Sequence, residues 1–147
     1  MATVEITFTP LPVHVRTARL VATAVARRSG VAETLLDEVR LAVGEACSRA
    51  VEAHLRHCPG QPIRVSLTDD GEQFEVVVTD AVPGAELSAR PGFAGFGTDL
   101  VVIDGDVPMQ LPDGVGLAVI AGLADDVRIA AADPGTSVTM SWKRRAG

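Results

Sequence analysis

The chain contains no tyrosine and no asparagine, and only one lysine and one tryptophan among its 147 residues. Aromatic residues make up 3% of it, so the core has to be built from Val, Leu, Ile and Ala. No apolar run approaches the roughly 20 residues that a membrane-spanning helix needs. The opening MATVEITFTP has no basic stretch followed by an apolar one, which argues against a secretion signal. Positive charge is scarce: 13 Lys and Arg stand against 19 Asp and Glu, for a net charge of -6. That balance disfavours nucleic-acid binding through phosphate contacts and docking on an anionic membrane, and it suits a partner with a basic face. Cysteine is limited to Cys47 and Cys58, too far apart along one expected helix to bridge. Two free thiols fit a reducing cytoplasm. Gly-x-Ser-x-Gly is missing, and Ser48, Ser66, Ser88 and Ser141 lack the base and orienting group of a serine hydrolase.

What is present is a chain of one-domain length with 47% apolar residues, enough for a sizeable core. Thr3 to Phe8 alternates polar and apolar residues and reads as a strand. Pro12 suits a first helical turn, Val15, Ala18, Ala22 and Val25 recur at helical spacing, and Gly30 stops that helix. A second helix is expected from about Ala32 to Cys58, ended by Pro59-Gly60. Its apolar stripe includes Leu35, Val39, Val43, Ala46 and Ala50, and a polar stripe holds Glu38, Glu45, Arg49, Glu52 and Arg56. Ile63 to Thr68 and Phe74 to Thr79 form a hairpin across Asp69-Asp70-Gly71. A Gly- and Pro-rich stretch from about Ala81 to Gly114 is long enough to be a lid or binding loop. A short apolar helix, Val115 to Leu123, precedes a last hairpin of Val127 to Ala132 and Thr136 to Trp142. The order predicts one α+β domain over residues 1–147, a two-layer sandwich. Its mixed, mostly antiparallel sheet carries helices on one face.

Taken singly, the polar residues have plain structural readings. Glu45 and Arg49 stand i, i+4 in the order that favours a helix-stabilising ion pair, worth about 0.2–0.5 kcal/mol. Asp80 ends a strand, where a local turn bond suffices. Gly114 and Gly116 fit a loop that leads into a helix. His54, His57 and Cys58 share a helix face but lack a fourth metal ligand, which leaves a frayed end with capping histidines.

Together, in order, they resemble a family. The segment Asp37-Glu-Val-Arg-Leu-Ala-Val-Gly-Glu-Ala-Cys-Ser-Arg-Ala-Val51 resembles the N-box helix of GHKL (histidine-kinase-like) ATPases, in the branch of anti-sigma factor serine kinases such as RsbW. Asp80 matches that family's adenine-binding aspartate, Gly84 the second glycine of the same box, and Gly114-Val-Gly-Leu117 its second glycine box. Leu123-Ala-Asp-Asp-Val127 and Gly135-Thr136 match its closing boxes. The resemblance covers about residues 3 to 143. It implies nucleotide binding by Asp80, Gly84, Gly114, Gly116 and Thr136, with Glu45 as general base toward a serine hydroxyl.

Two departures stand out. The family's metal-ligating Asn is Arg49 here, which carries donors and no acceptor, so Mg2+ is poorly served while phosphate pairing stays open. The first glycine of the aspartate box is Val82. The expectation is therefore an anti-sigma-type switch in the cytoplasm that binds ATP weakly and exchanges a sigma factor for a STAS-class antagonist. Such regulators of transcription serve stress response or sporulation and are commonly homodimers. The alternatives are an active serine-protein kinase acting on that antagonist, and a nucleotide-free scaffold that binds partners alone.

Overall fold

The computed structural model describes residues 2–82, 120, 122–131 and 135–143. The expected loop over 81–114, apart from Ala81 and Val82, and most of the expected helix over 115–123 lie outside them, with Ile120, Gly122 and Leu123 described as helical. Strand β1 (Ala2–Phe8) leads into α1 (Pro12–Arg28), then a short 3-10 turn (Glu33–Leu35) and α2 (Leu36–His57). Strands β2 (Ile63–Asp69), β3 (Gln73–Asp80), β4 (Asp126–Ala131) and β5 (Thr136–Lys143) follow. They form one sheet in the order β1-β2-β3-β5-β4, and all four pairings are antiparallel.

The elements start and stop where local chemistry dictates. Pro12 opens α1, where its missing N–H removes nothing from the helical ladder. The other end of α1 closes with two crossed bonds. The N–H of Gly30 (φ 90°) donates to the Arg27 carbonyl at 3.2 Å, and that of Val31 to the Ala26 carbonyl at 3.1 Å. This is a Schellman cap, and it turns the chain toward α2. Between β2 and β3 the Asp70 carboxylate accepts from the N–H groups of Glu72 and Gln73, both at 2.8 Å, which fixes the hairpin register.

Alternation along the strands sorts their two faces. Ile63, Val65 and Leu67 of β2, with Phe74, Val76 and Val78 of β3, are buried beneath the helices. Val138, Met140 and Trp142 extend that layer through β5. The other face of the sheet carries Ser66, Thr68, Glu75, Thr79 and Thr139, all half-buried. From the helices, Val15, Ala18 and Ala22 of α1 and Val39, Val43 and Ala46 of α2 close the core. The alanines let helices approach the sheet closely, which suits a chain short of aromatic bulk. Trp142 is fully buried, stacks at a tilt on Phe74 with ring centroids 6.2 Å apart, and donates its indole N–H to the Leu123 carbonyl at 3.0 Å. Burying side chains of this size contributes about 1.5–3 kcal/mol each.

Candidate functional site

Register brings three distant stretches to one end of the sheet. Asp80, the last residue of β3, lies opposite Thr136, the first of β5. Gly135 makes this approach possible. Its φ of +104° belongs to the left-handed region, and a Cβ there would overlap the Asp80 carbonyl. The Thr136 N–H then reaches the Asp80 Oδ1 at 3.2 Å, and the Val82 N–H reaches the same oxygen at 2.9 Å. The second oxygen, Oδ2, accepts from Arg49 Nη2 at 3.1 Å. Only 2% of Asp80 and 7% of Arg49 is exposed, so this is an ion pair inside the protein. Arg49 is thus not one of a solvated stripe, as its spacing from Glu45, Glu52 and Arg56 predicts. It sits at the border between the polar and buried faces of α2, and its long side chain reaches across to the end of β3.

His54, slightly more than one turn beyond Arg49, is fully buried. Its Nδ1 lies 2.9 Å from the Gln61 carbonyl, and its Nε2 accepts the Ala81 N–H at 2.9 Å. That pattern requires the tautomer with the proton on Nδ1. The ring ties the end of α2 to the residue after Asp80, so the frayed end with capping histidines expected at this point is instead an ordered link. Among the described residues no group of His, Cys, Asp and Glu is arranged to hold a metal ion. Cys58, at the end of α2, lies within reach of the Asp80 charge: burial pushes its thiol up, and the carboxylate adds to that.

The other expected site residues fall as follows. Thr136 is 4% exposed and joins the cluster through its backbone. Glu45 is half-buried one turn before Arg49 on α2. Gly84, Gly114 and Gly116 lie outside the described residues. Val82, in the place of a glycine, is fully buried. His54 was not among the expected site residues, and Gly135 was named only as half of the matched Gly135-Thr136 box. Nothing in the spacing of His54 tells a buried bridge from an exposed cap. A groove of about 320 Å³ between α1 and α2 is lined by Pro12, Val15, Arg19, Val51, Glu52 and Leu55, among others, and neither Arg49 nor Asp80 lines it.

The cluster meets adenine and magnesium differently. A buried strand-end carboxylate is a fit acceptor for an exocyclic amine, although the oxygen left for it is shared with Arg49. A magnesium ion requires oxygen ligands, and Arg49 offers N–H donors and a positive charge, so the position does not fit the metal.

The serine-protein kinase RsbW of Halalkalibacterium halodurans is 28% identical over 129 residues, covering 86% of this chain and 75% of that protein. The solved structure of the RsbU and RsbW domains of Rv1364c from Mycobacterium tuberculosis superposes with a TM-score of 0.65 at 19% identity. It covers 99% of this chain, which spans 34% of that longer one, and at this identity the likeness speaks for the fold. Residues 8–142 match the histidine kinase-like ATPase domain. With that match running from the last residue of β1 through both helices, the other four strands and the Asp80 cluster, the chain belongs to the histidine kinase-like ATPase domain family and is RsbW-like within it.

Proposed function

We propose that the protein is an anti-sigma-type regulator of transcription that holds a sigma factor and exchanges it for a STAS-class antagonist, and that it binds ATP weakly. The likeness to RsbW supports the partner half of this reading. The observation that carries the nucleotide half is the convergence of Arg49, Asp80 and Thr136 at one end of the sheet. In this reading Asp80 accepts from the adenine amine, Thr136 flanks the base, and Gly84, Gly114 and Gly116 offer backbone N–H groups to phosphates. A homodimer in the cytoplasm, with the stretch over 81–114 acting as a lid in a single domain, completes the proposal. Stress response or sporulation is the setting in which such a switch works.

An active serine-protein kinase is the second reading, favoured by Glu45 one turn from Arg49, where it would take the proton of an incoming serine. Phosphoryl transfer depends on charge neutralisation that Mg2+ normally provides, and Arg49 withdraws a ligand from that ion. The first reading therefore stands ahead of it. The test is calorimetric titration of ATP, with and without Mg2+, together with co-purification against candidate sigma factors and STAS proteins. Weak binding without phosphate transfer, and partner capture, is the expected result. Metal-dependent transfer to an antagonist serine would establish the kinase instead. Partner capture by a folded protein that binds no ATP at millimolar concentration would leave the scaffold.

A further inference from the structure

An ionised carboxylate offers about four lone-pair positions. At Asp80 two of them, on Oδ1, are filled by the backbone N–H groups of Val82 and Thr136. Both bonds belong to the fold: the Thr136 bond ties β3 to the start of β5, and the Val82 bond fixes the local turn that leaves β3. Oδ2 holds the other two; Arg49 Nη2 occupies one at 3.1 Å, and the carboxylate, 1% exposed, offers no open approach to the last. The pair is sheltered from water, with 7% and 1% of the two side chains exposed. A ligand that reads Asp80 therefore meets an oxygen already engaged by a charged donor of the protein itself.

From this competition we infer that Arg49 is an internal occupant of the nucleotide pocket, which takes an adenine-type amine at Asp80 only when the guanidinium swings away. The inference rests on the reading of this site as an ATP pocket. It specifies how the site is regulated. The closed, ion-paired form is the resting state, and the open form is a minor population. A ligand selecting the minor form has its affinity reduced by the fraction open. A desolvated, charge-assisted contact is a strong competitor for an acceptor, stronger than the neutral amine that must replace it. Metal dependence follows as well. Once displaced, the guanidinium stays on α2 as a fixed positive charge near the ligand, where it takes over charge neutralisation and leaves no acceptor for Mg2+.

The test uses the full chain as wild type, Arg49→Gln and Arg49→Asn, with circular dichroism to confirm folding and calorimetry to read ATP affinity. Both amides keep an uncharged donor at shorter reach and add an acceptor oxygen. The expected result is ATP affinity at least tenfold tighter in both variants, with a Mg2+ dependence that the wild type lacks. Equal affinity in all three folded proteins would overturn the occupant and leave the ATP reading intact. Binding by none of them would remove the ATP reading itself, and the occupant with it. If the variants unfold, nuclear magnetic resonance of the wild type decides. Saturating ATP is expected to shift the Arg49 Nε–H signal strongly and the Val82 and Thr136 amides less. An unmoved Arg49 signal at saturation would overturn the proposal.

Discussion

Arg49 of α2 and Asp80 of β3 form a buried ion pair at 3.1 Å, in which the carboxylate also gathers the N–H groups of Val82 and Thr136. Helix α2 and strand β3 are thereby joined at the candidate site by a charge pair.

Breaking that pair from the carboxylate side strands three donors at once. Asp80→Ala is expected to cost about 3–5 kcal/mol, read by urea denaturation. Adding Arg49→Met should recover part of the loss, since no guanidinium is then left buried without its carboxylate. A double variant as unstable as Asp80→Ala would show that the two backbone bonds dominate over the charges.

His54 predicts a separate anchor. His54→Leu keeps a side chain of similar bulk but strips the Ala81 N–H and the Gln61 carbonyl of their partner. Leaving such groups unsatisfied costs about 1–3 kcal/mol each. The measurement is amide hydrogen exchange, in which Ala81 should lose protection before the core of β3 does. Retained protection at Ala81 would mean that the ring is only filling space.

Gly135→Ala combines a strained backbone with an overlap against the Asp80 carbonyl. A destabilisation of about 2 kcal/mol or more is expected, visible as a lower Tm. Gly60→Ala makes a matched control, since a Cβ at Gly60 meets nothing within 4 Å. Similar Tm values for the two would contradict the close approach of β5 to Asp80.

The two thiols should behave differently. Burial pushes the Cys47 thiol up from 9.0 to about 12. Thiolate is the reactive form, so a thiol reagent at pH 8 should label Cys58 slowly and Cys47 only after unfolding. The sign of the pH effect follows. Above pH 9 the unfolded Cys47 gives up its proton while the folded one keeps it, so the unfolded state binds fewer protons. Stability from this group is complete below about pH 9 and is lost as pH rises toward 12. Cys47→Ala should flatten that alkaline slope. An unchanged slope would assign it to other groups.

Most of the fold was legible from periodicity. The alternation in β2 and β3, Pro12 at the head of α1, Gly30 at its end and the Asp-Asp-Gly hairpin each act within a few residues, so local pattern captures them. The α+β class followed from their order. Arg49 escaped because spacing gives a direction around a helix and not the length of the arm. A residue at the border of the polar stripe can lie in water or fold inward, and its partner thirty-one positions away decides which. His54 escaped for a related reason. A histidine near a helix end caps or bridges according to what the chain later brings beside it, and Ala81 is twenty-seven residues on. Asp80 and Thr136 could be placed near one another by resemblance, but spacing alone could not pair them.

The hydrogen bond from Thr136 to Asp80 closes a stretch of 56 residues. Gathering ends so far apart carries an entropic cost that grows with the logarithm of length, so doubling the stretch would add only about 0.6 kcal/mol. Between those two anchor points β4 and the Leu123 carbonyl are themselves held by β5, so only the rest of the stretch can change length at this small cost. Insertions or deletions of that kind should cost less stability than a single added methyl at Gly135. In folding, the same separation makes the seam a late event: β1, both helices, β2 and β3 can associate through nearer contacts while Asp80 still waits for the strand that completes it.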